Sequence, residues 1–551
     1  MKKITFFFLL FLSQTIFGNT KITETEKLVA TCKVWGFLKY YHPKVAKGEF
    51  NWDNQLLDIL PKVEKAQTKE EFSLILENWI DDLGAVKEIA PIAAPKDVEY
   101  FDENFDLSWI NSSKLFSKKL AKKLKFIENN RFQTEEEIGL GYNALKNGDY
   151  FNLKFDNKNS RILWFCMYWN LVEYFFPYKY LMDQKWDLTL QKTLPLVLNS
   201  QTEDDFYTVI RKMSSTLDDS HVAFERYNRN KLAEGDIGRY FPGNCKIIDN
   251  KIVVTEILAD SLAGADDIKV GDVITKVNDK TIAALISEYG DLYAASNEPV
   301  LLDKVLRKIL YSTSDNVNVE FLKDGKYTTK AMIWYDYHDS HRNEFKKGVK
   351  KKKEKFKVLD NNVGYVDMGI LKNANVPNMI DALKATKAIV FDMRNYPNGT
   401  FREISNFLNA HEEKFAIYTY PDFSYPGRFK WQKEGTKCGS ENKDNYKGKV
   451  IVLLNEDSIS QSEWTAMCFQ TAGNTTIIGS QTAGADGNVT ELDFKEFHTR
   501  YSGVGVYYPD KRETQRIGIV PDIEVKPTIK GIQEGKDEVL DRALTFIETG
   551  K

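Results

Sequence analysis

The sequence predicts a multidomain α+β protein: a helical N-terminal unit present twice, a β-rich module in the middle, and an α/β domain at the C-terminal end. Three observations predict it. Rare residues of the first part recur at one fixed offset, so that Cys32, Trp35 and Pro43 return as Cys166, Trp169 and Pro177. From about Asp236 apolar and polar residues alternate as in strands. From about residue 358 compact apolar runs alternate with helical segments, as an α/β layer requires. A chain of 551 residues is also too long for one core, and roughly 150 residues per domain implies three or four.

Residues 1–18 read as an export signal. Lys2 and Lys3 precede the apolar run Ile4 to Leu12, and the small Gly18 ends the segment. The run is shorter than the ~20 apolar residues of a membrane span, and no cysteine lies near the cleavage region to take a lipid. The expectation is an exported protein, periplasmic or secreted, with no transmembrane segment in the mature chain. Net charge is only −3, which gives no basic field for nucleic acid. Five cysteines without a CxxC exclude a disulfide framework and a cysteine zinc site, so no metal and no cofactor is expected.

The duplication continues without a gap. Tyr40 falls on Tyr174, Trp52 on Trp186, Pro61 on Pro195, Gln67-Thr68 on Gln201-Thr202, Phe72 on Phe206 and Leu83 on Leu217, each 134 residues on. Each copy reads as three helices, the third opened by a capping box, Thr68-x-x-Glu71 or Thr202-x-x-Asp205. Copy one with its connector takes residues 19–150 and copy two takes 151–235. Cys32 and Cys166 read as small buried hydrophobes on equivalent helices. The copies part company after the matched leucine: Gly84-Ala85-Val86-Lys87 in one, Asp218-Asp219-Ser220-His221 in the other. One copy alone carries a Ser-His pair.

Residues 236–335 hold the β-rich module. The stretch from Thr255 through Ile268-Lys-Val-Gly-Asp-Val-Ile-Thr-Lys-Val-Asn-Asp279 resembles a PDZ domain of the bacterial protease type, with Gly271-Asp272 as its turn. That resemblance implies capture of a peptide terminus as an added strand, with its carboxylate on backbone amides. Arg239-Tyr240-Phe241-Pro242 is the candidate carboxylate loop. Residues 336–357 end in a lysine-rich run that reads as a solvated linker.

The α/β domain takes residues 358–551. Within it Val450 to Asn455 is a buried strand, and a helix follows Ser460-Gln461-Ser462-Glu463. A serine at a strand-to-helix junction stands beside free backbone N–H groups, as acyl transfer needs. The same Ser-x-x-Glu is equally a plain capping box. The segment Asn455 to Glu463 resembles the nucleophile segment of the tail-specific (C-terminal-processing) proteases, in which the middle serine attacks. Val363-Gly-Tyr-Val-Asp-Met and Ile389-Val-Phe-Asp-Met-Arg-Asn-Tyr-Pro-Asn-Gly399 resemble that family's strand and turn motifs. The resemblance implies a crotonase-like α/β protease domain, Ser460 as nucleophile, and the amides of Gly399 and Gln461 as oxyanion donors.

In one respect the chain departs from the family. The lysine that serves as base stands 25 residues after the serine, where this chain has Ala485; the next lysine is Lys495. The tricorn-core and retinoid-binding-protein-like branch of the superfamily resembles this chain better, because it pairs its serine with a histidine. That implies His221 as general base, Ser220 as relay and a downstream glutamate, here Glu513, as acid. Of the other histidines, His42 and His411 read as helix-end residues, His338 and His341 as polar neighbours of Asp336 and Asp339, and His498 as a reserve base. Asp522 reads as a turn residue. The expected function is an exported serine endopeptidase acting on protein or peptide substrates through an acyl-enzyme. The alternative is an inactive, protease-derived protein that binds peptides or apolar ligands.

Overall fold

The computed structural model describes residues 21–93, 96–133, 155, 157–226, 238–258, 264, 267–314, 316–336, 354–493 and 497–551. The export segment, His338, His341, Lys495 and most of the lysine-rich run lie outside these residues. No described helix is long and apolar enough to cross a membrane.

The helices Glu24–Tyr41, Trp52–Lys65 and Lys69–Asp82 return as Lys158–Phe175, Trp186–Asn199 and Glu203–Ser215. Both first helices are buried almost all round, which their aromatic content permits. In each copy two indoles lock the first helix to the second. Trp35 Nε1 donates to Trp52 O and Trp52 Nε1 to Trp35 O, both at 3.1 Å, and Trp169 and Trp186 repeat the exchange. Both third helices open with the expected capping boxes. The copies pack on each other where Gly36 meets its own counterpart, Asn170. A Cβ at Gly36 would stand 1.7 Å from Asn170 Oδ1, while Asn170 Nδ2 donates to Cys32 O and Cys166 O.

The β-rich module orders its strands Lys326–Met332, Val317–Lys323, Val273–Val277, Lys251–Ile257, Gly243–Ile248, every pair antiparallel. The helices Ile282–Tyr289 and Glu298–Ile309 close its core around Ile252, Val254, Ile274 and Val319.

In the C-terminal domain the central sheet runs Phe356–Leu359, Val363–Asp367, Ala388–Asp392, Lys449–Leu454, Thr475–Gly479, Ile523–Glu524. Only the first pair is antiparallel. Alternation along the strands sends Val450, Val452 and Leu454 to one face, under the helices Val376–Leu383, Phe401–Leu408 and Gln461–Gln470. Ile451 and Leu453 face the other side, covered by Val539, Ala543 and Ile547 of the helix Glu538–Thr549.

A small sheet ties copy two to this domain. Ala223–Arg226 pairs antiparallel with Phe497–Ser502, which pairs with Val489–Asp493. The connector of copy one also reaches the C-terminal domain, with Tyr100 opposite Lys430.

Candidate active site

Ser460 follows the strand Lys449–Leu454, which is buried from Val450 to Leu454. After Leu454 the chain turns, and the turn is pinned to the neighbouring strand's loop. Ser458 Oγ donates to Met393 O at 2.8 Å, and Ser462 Oγ donates to Asn395 O at 3.0 Å. At Ser460 the backbone takes φ 55° and ψ −112°, a conformation that side-chain-bearing residues seldom adopt. The residue is half-buried and stands at the N-cap of the helix Gln461–Gln470. A serine held on such a turn has its hydroxyl lifted off the sheet edge, beside the helix N-terminus.

Glu463 holds the turn from below. Fully buried, its carboxylate accepts from Thr482 Oγ1 (2.5 Å), Gly484 N (2.8 Å), Ala485 N (3.1 Å) and Ser460 N (3.1 Å). Burial raises its carboxyl to about 7, against four donated bonds that favour the charged form. Ala485 is buried, and its carbonyl accepts Ser460 N at 3.0 Å. The position of the family's lysine is therefore filled by a methyl group and a backbone carbonyl.

The segment 218–222 leads from the helix Glu203–Ser215 into the strand Ala223–Arg226. Its first residue, Asp218, has φ 49°, and Gly84, its counterpart in copy one, has φ 86°. The two copies thus make the same left-handed turn and diverge beyond it. Ser220 Oγ donates to Ala483 O at 2.8 Å, and Ala483 N donates to Ser458 O at 3.0 Å. Two hydrogen bonds thereby connect the Ser-His segment to the nucleophile turn. Ser220 also exchanges bonds with Ser296, N to Oγ in both directions, at 2.9 Å each.

His221 is 6% exposed. The antiparallel register that sets Ala223 against Arg500 sets it against Ser502. Its Nδ1 lies 3.0 Å from Ser502 Oγ. Asp219, fully buried, accepts from His221 N and from Ser502 N, at 2.9 Å each. Desolvation holds the imidazole below its usual range; Asp219 opposes this, while Arg500 and Lys304 reinforce it. Among the described residues no hydrogen bond joins the imidazole to Ser460. A cleft of about 650 Å³ opens where the two segments meet, lined by Ser220, Ile459, Ala483, Lys304, Arg500 and Tyr311.

Gly399 has φ 69° and open space where a Cβ would stand. Its loop is tied down by Asn398 Nδ2, which donates to Gly369 O and Leu371 O. Glu513 is engaged elsewhere. Tyr180 OH donates to its Oε1 at 2.6 Å, and it forms no hydrogen bond with Ser220 or His221. His498 stands four residues before Ser502 on the same strand, roughly 13 Å away along it. His42 is buried between two helices, its ring pushed down to about 4 by desolvation, and His411 is exposed beside Glu441. Asp522 pins a turn through Ile477 N. Sequence reasoning passed over Asp219 and Ser502. Asp219 was visible as a carboxylate two residues before the histidine, whereas Ser502 owes its place to strand register alone.

Residues 362–525 match the family model of peptidase family S41, and residues 231–288 match that of the PDZ domain. A probable CtpA-like serine protease of Staphylococcus aureus (strain N315) is 25% identical over 292 residues, 50% of this chain and 50% of its own. One of Staphylococcus haemolyticus (strain JCSC1435) is 24% identical over 284 residues, again 50% of each. The chain spans about half the length of the curated relatives it matches. Among solved structures, mature CPAF complexed with lactacystin superposes with a TM-score of 0.55 at 13% identity, over 70% of this chain and 98% of that one. Mature CPAF in a second structure gives 0.54 at 12% identity, over 70% and 97%. At such identities the likeness is one of fold.

Proposed function

We propose, from the premise that this chain belongs to the tail-specific proteases of peptidase family S41 and carries a PDZ domain, that it is an exported serine endopeptidase working through Ser460 and His221. One observation carries the reading: Ser460 sits in a left-handed backbone conformation at a strand-to-helix turn, and the Ser220-His221 segment is linked to the same turn by hydrogen bonds through Ala483.

In this mechanism Ser460 Oγ attacks the scissile carbonyl and passes its proton to His221. With Nδ1 engaged by Ser502, Nε2 is the nitrogen left for that transfer. The amides of Gly399 and Gln461 receive the oxyanion, and neither N–H donates to another group among the described residues. His221 then protonates the leaving amine. Water, deprotonated by the same imidazole, releases the acyl group. A neutral imidazole is required at each start, and the desolvation of His221 supplies it. Asp219, acting through the His221 and Ser502 amides, is the orienting carboxylate. The PDZ domain recognises peptide termini.

A serine-directed fluorophosphonate tests the reading. It should label the wild-type protein and leave Ser460→Ala unlabelled. His221→Ala should slow labelling and peptide turnover by roughly 10²-fold or more, the usual contribution of a general base. Wild-type protein that takes no label would instead favour the ligand-binding alternative, which the buried Ala485 supports.

A further inference from the structure

The chain from Ser220 to Val222 bonds few of its carbonyls to other backbone. Two cations from different parts of the molecule hold three consecutive ones. Arg500 Nε donates to His221 O at 3.1 Å. Lys304 Nζ donates to Ser220 O at 2.9 Å and to Val222 O at 3.3 Å, and its shortest bond, 2.6 Å, goes to Ala294 O. Lys304 stands on the helix Glu298–Ile309, whose Val305, Leu306 and Ile309 lie in the core of the β-rich module. Its ammonium therefore ties the histidine segment to a second domain.

We propose that Lys304 is a positioning residue for His221: by gripping the carbonyls on either side of the histidine it fixes the imidazole relative to Ser460. This rests on the catalytic reading above. An ammonium has three donors, and all three are spent on carbonyls, with no carboxylate among the described residues hydrogen-bonded to it. Such a placement is costly. Burial pulls Lys304 down to about 8, with Arg500 and Arg307 adding to the fall and Asp219 and Asp303 opposing it. A methionine stem would fill the same space without desolvating a charge. What the lysine adds is three fixed contacts around a catalytic segment that has little regular structure of its own.

The experiment compares Lys304→Met, Lys304→Gln and Lys304→Arg in the full chain. Lys304→Met should lower kcat about 10²-fold with KM within about threefold, the scale of a small misplacement of a catalytic group. It should also move the acid limb of the pH profile upward, because one of the two cations that depress His221 is gone while Asp219 remains. Lys304→Arg should recover most of kcat and return the limb. Should the methionine variant melt below the assay temperature, Lys304→Gln keeps two donors without charge and must show the same upward limb. A folded Lys304→Met protein with kcat within threefold of wild type overturns the proposal, whether or not the limb moves. If the wild type itself shows no Ser460-dependent turnover, the catalytic reading falls, and the His221 imidazole followed by NMR still decides Lys304. Displaced His221 ring and backbone resonances in Lys304→Met that Lys304→Arg restores support the contact, and resonances unmoved in Lys304→Met overturn it.

Discussion

At the scale of single residues, the question that decides the proposed mechanism is which carboxylate would serve His221. Asp219 accepts His221 N and Ser502 N, and Ser502 Oγ faces the imidazole Nδ1. Glu513 instead takes the Tyr180 hydroxyl, and its second oxygen is buried with no partner among the described residues. Asp219→Asn should therefore cut kcat strongly, by roughly 10²-fold, whereas Glu513→Gln should leave it within a few-fold. The pH profile adds a sign. His221 is already held below its usual range, so the acid limb of wild-type turnover lies below about pH 6.5. Asp219 pulls that value up, so Asp219→Asn should move the limb further down, and Glu513→Gln should not move it. The reverse pattern would return the acid to Glu513. The two side chains proposed to react each stand in a local motif of the sequence. The groups around them do not. Ser502 arrives by strand pairing and Lys304 by the packing of a helix from another domain, and neither leaves a local pattern.

At the scale of elements, three of the capping boxes look alike in the sequence: Thr68 with Glu71, Thr202 with Asp205, Ser460 with Glu463. The first two open helices from extended backbone, with φ −121° and −116°. The third opens its helix at φ 55°, because the turn before it is fixed on both sides. Residue types do not encode that difference; it comes from the loop 480–485, which follows the strand Thr475–Gly479. Gly479 has φ 138°, and a Cβ there would stand 1.9 Å from Leu454 O. Gly479→Ala must push this strand end away from the strand that leads to Ser460. The expected loss of stability exceeds about 1 kcal/mol, since a side chain is forced where the backbone excludes it. Labelling of Ser460 should suffer more than stability does, because Ala483 and Ala485 anchor Ser220 and Ser460 from the same loop. An alanine variant that melts like wild type and labels at the wild-type rate would show that the loop does not set the turn. The repeat, by contrast, was legible: the matched helices recur at the offset together with the paired Trp, the inner Pro and the Thr cap of the third helix, although the caps of the first two differ, Thr23 against Asn157 and Asn51 against Lys185.

At the scale of the whole molecule, the boundaries near residues 235 and 358 separate patterns in the sequence and not equivalent cores. The core of the helical repeat includes Leu492, Phe497, Tyr501 and Tyr507 from the C-terminal domain, each at most 2% exposed. Phe497 packs between Phe155, Tyr207 and Phe224, and Tyr178 OH accepts Val506 N at 2.7 Å. The β-rich module differs, since its core of Ile252, Val254, Ile274, Val305, Val319 and Trp334 is drawn entirely from residues 238–336. Burying one large apolar side chain stabilises by about 1.5–3 kcal/mol, and a typical domain is stable by only about 5–15 kcal/mol. Four such side chains stripped of their cover are a large fraction of that margin, and they would leave an apolar patch on the surface. Residues 238–336 expressed alone should thus unfold in one cooperative transition. Residues 354–551 alone should bind a hydrophobic dye, melt without a sharp transition and take no phosphonate label, having lost both the cover and His221. Adding the helical repeat back on one chain should restore all three properties together. A fragment 354–551 with a sharp melt and no dye binding would mean that the shared core is an interface between independently stable domains, and that His221 reaches Ser460 by docking and not by folding.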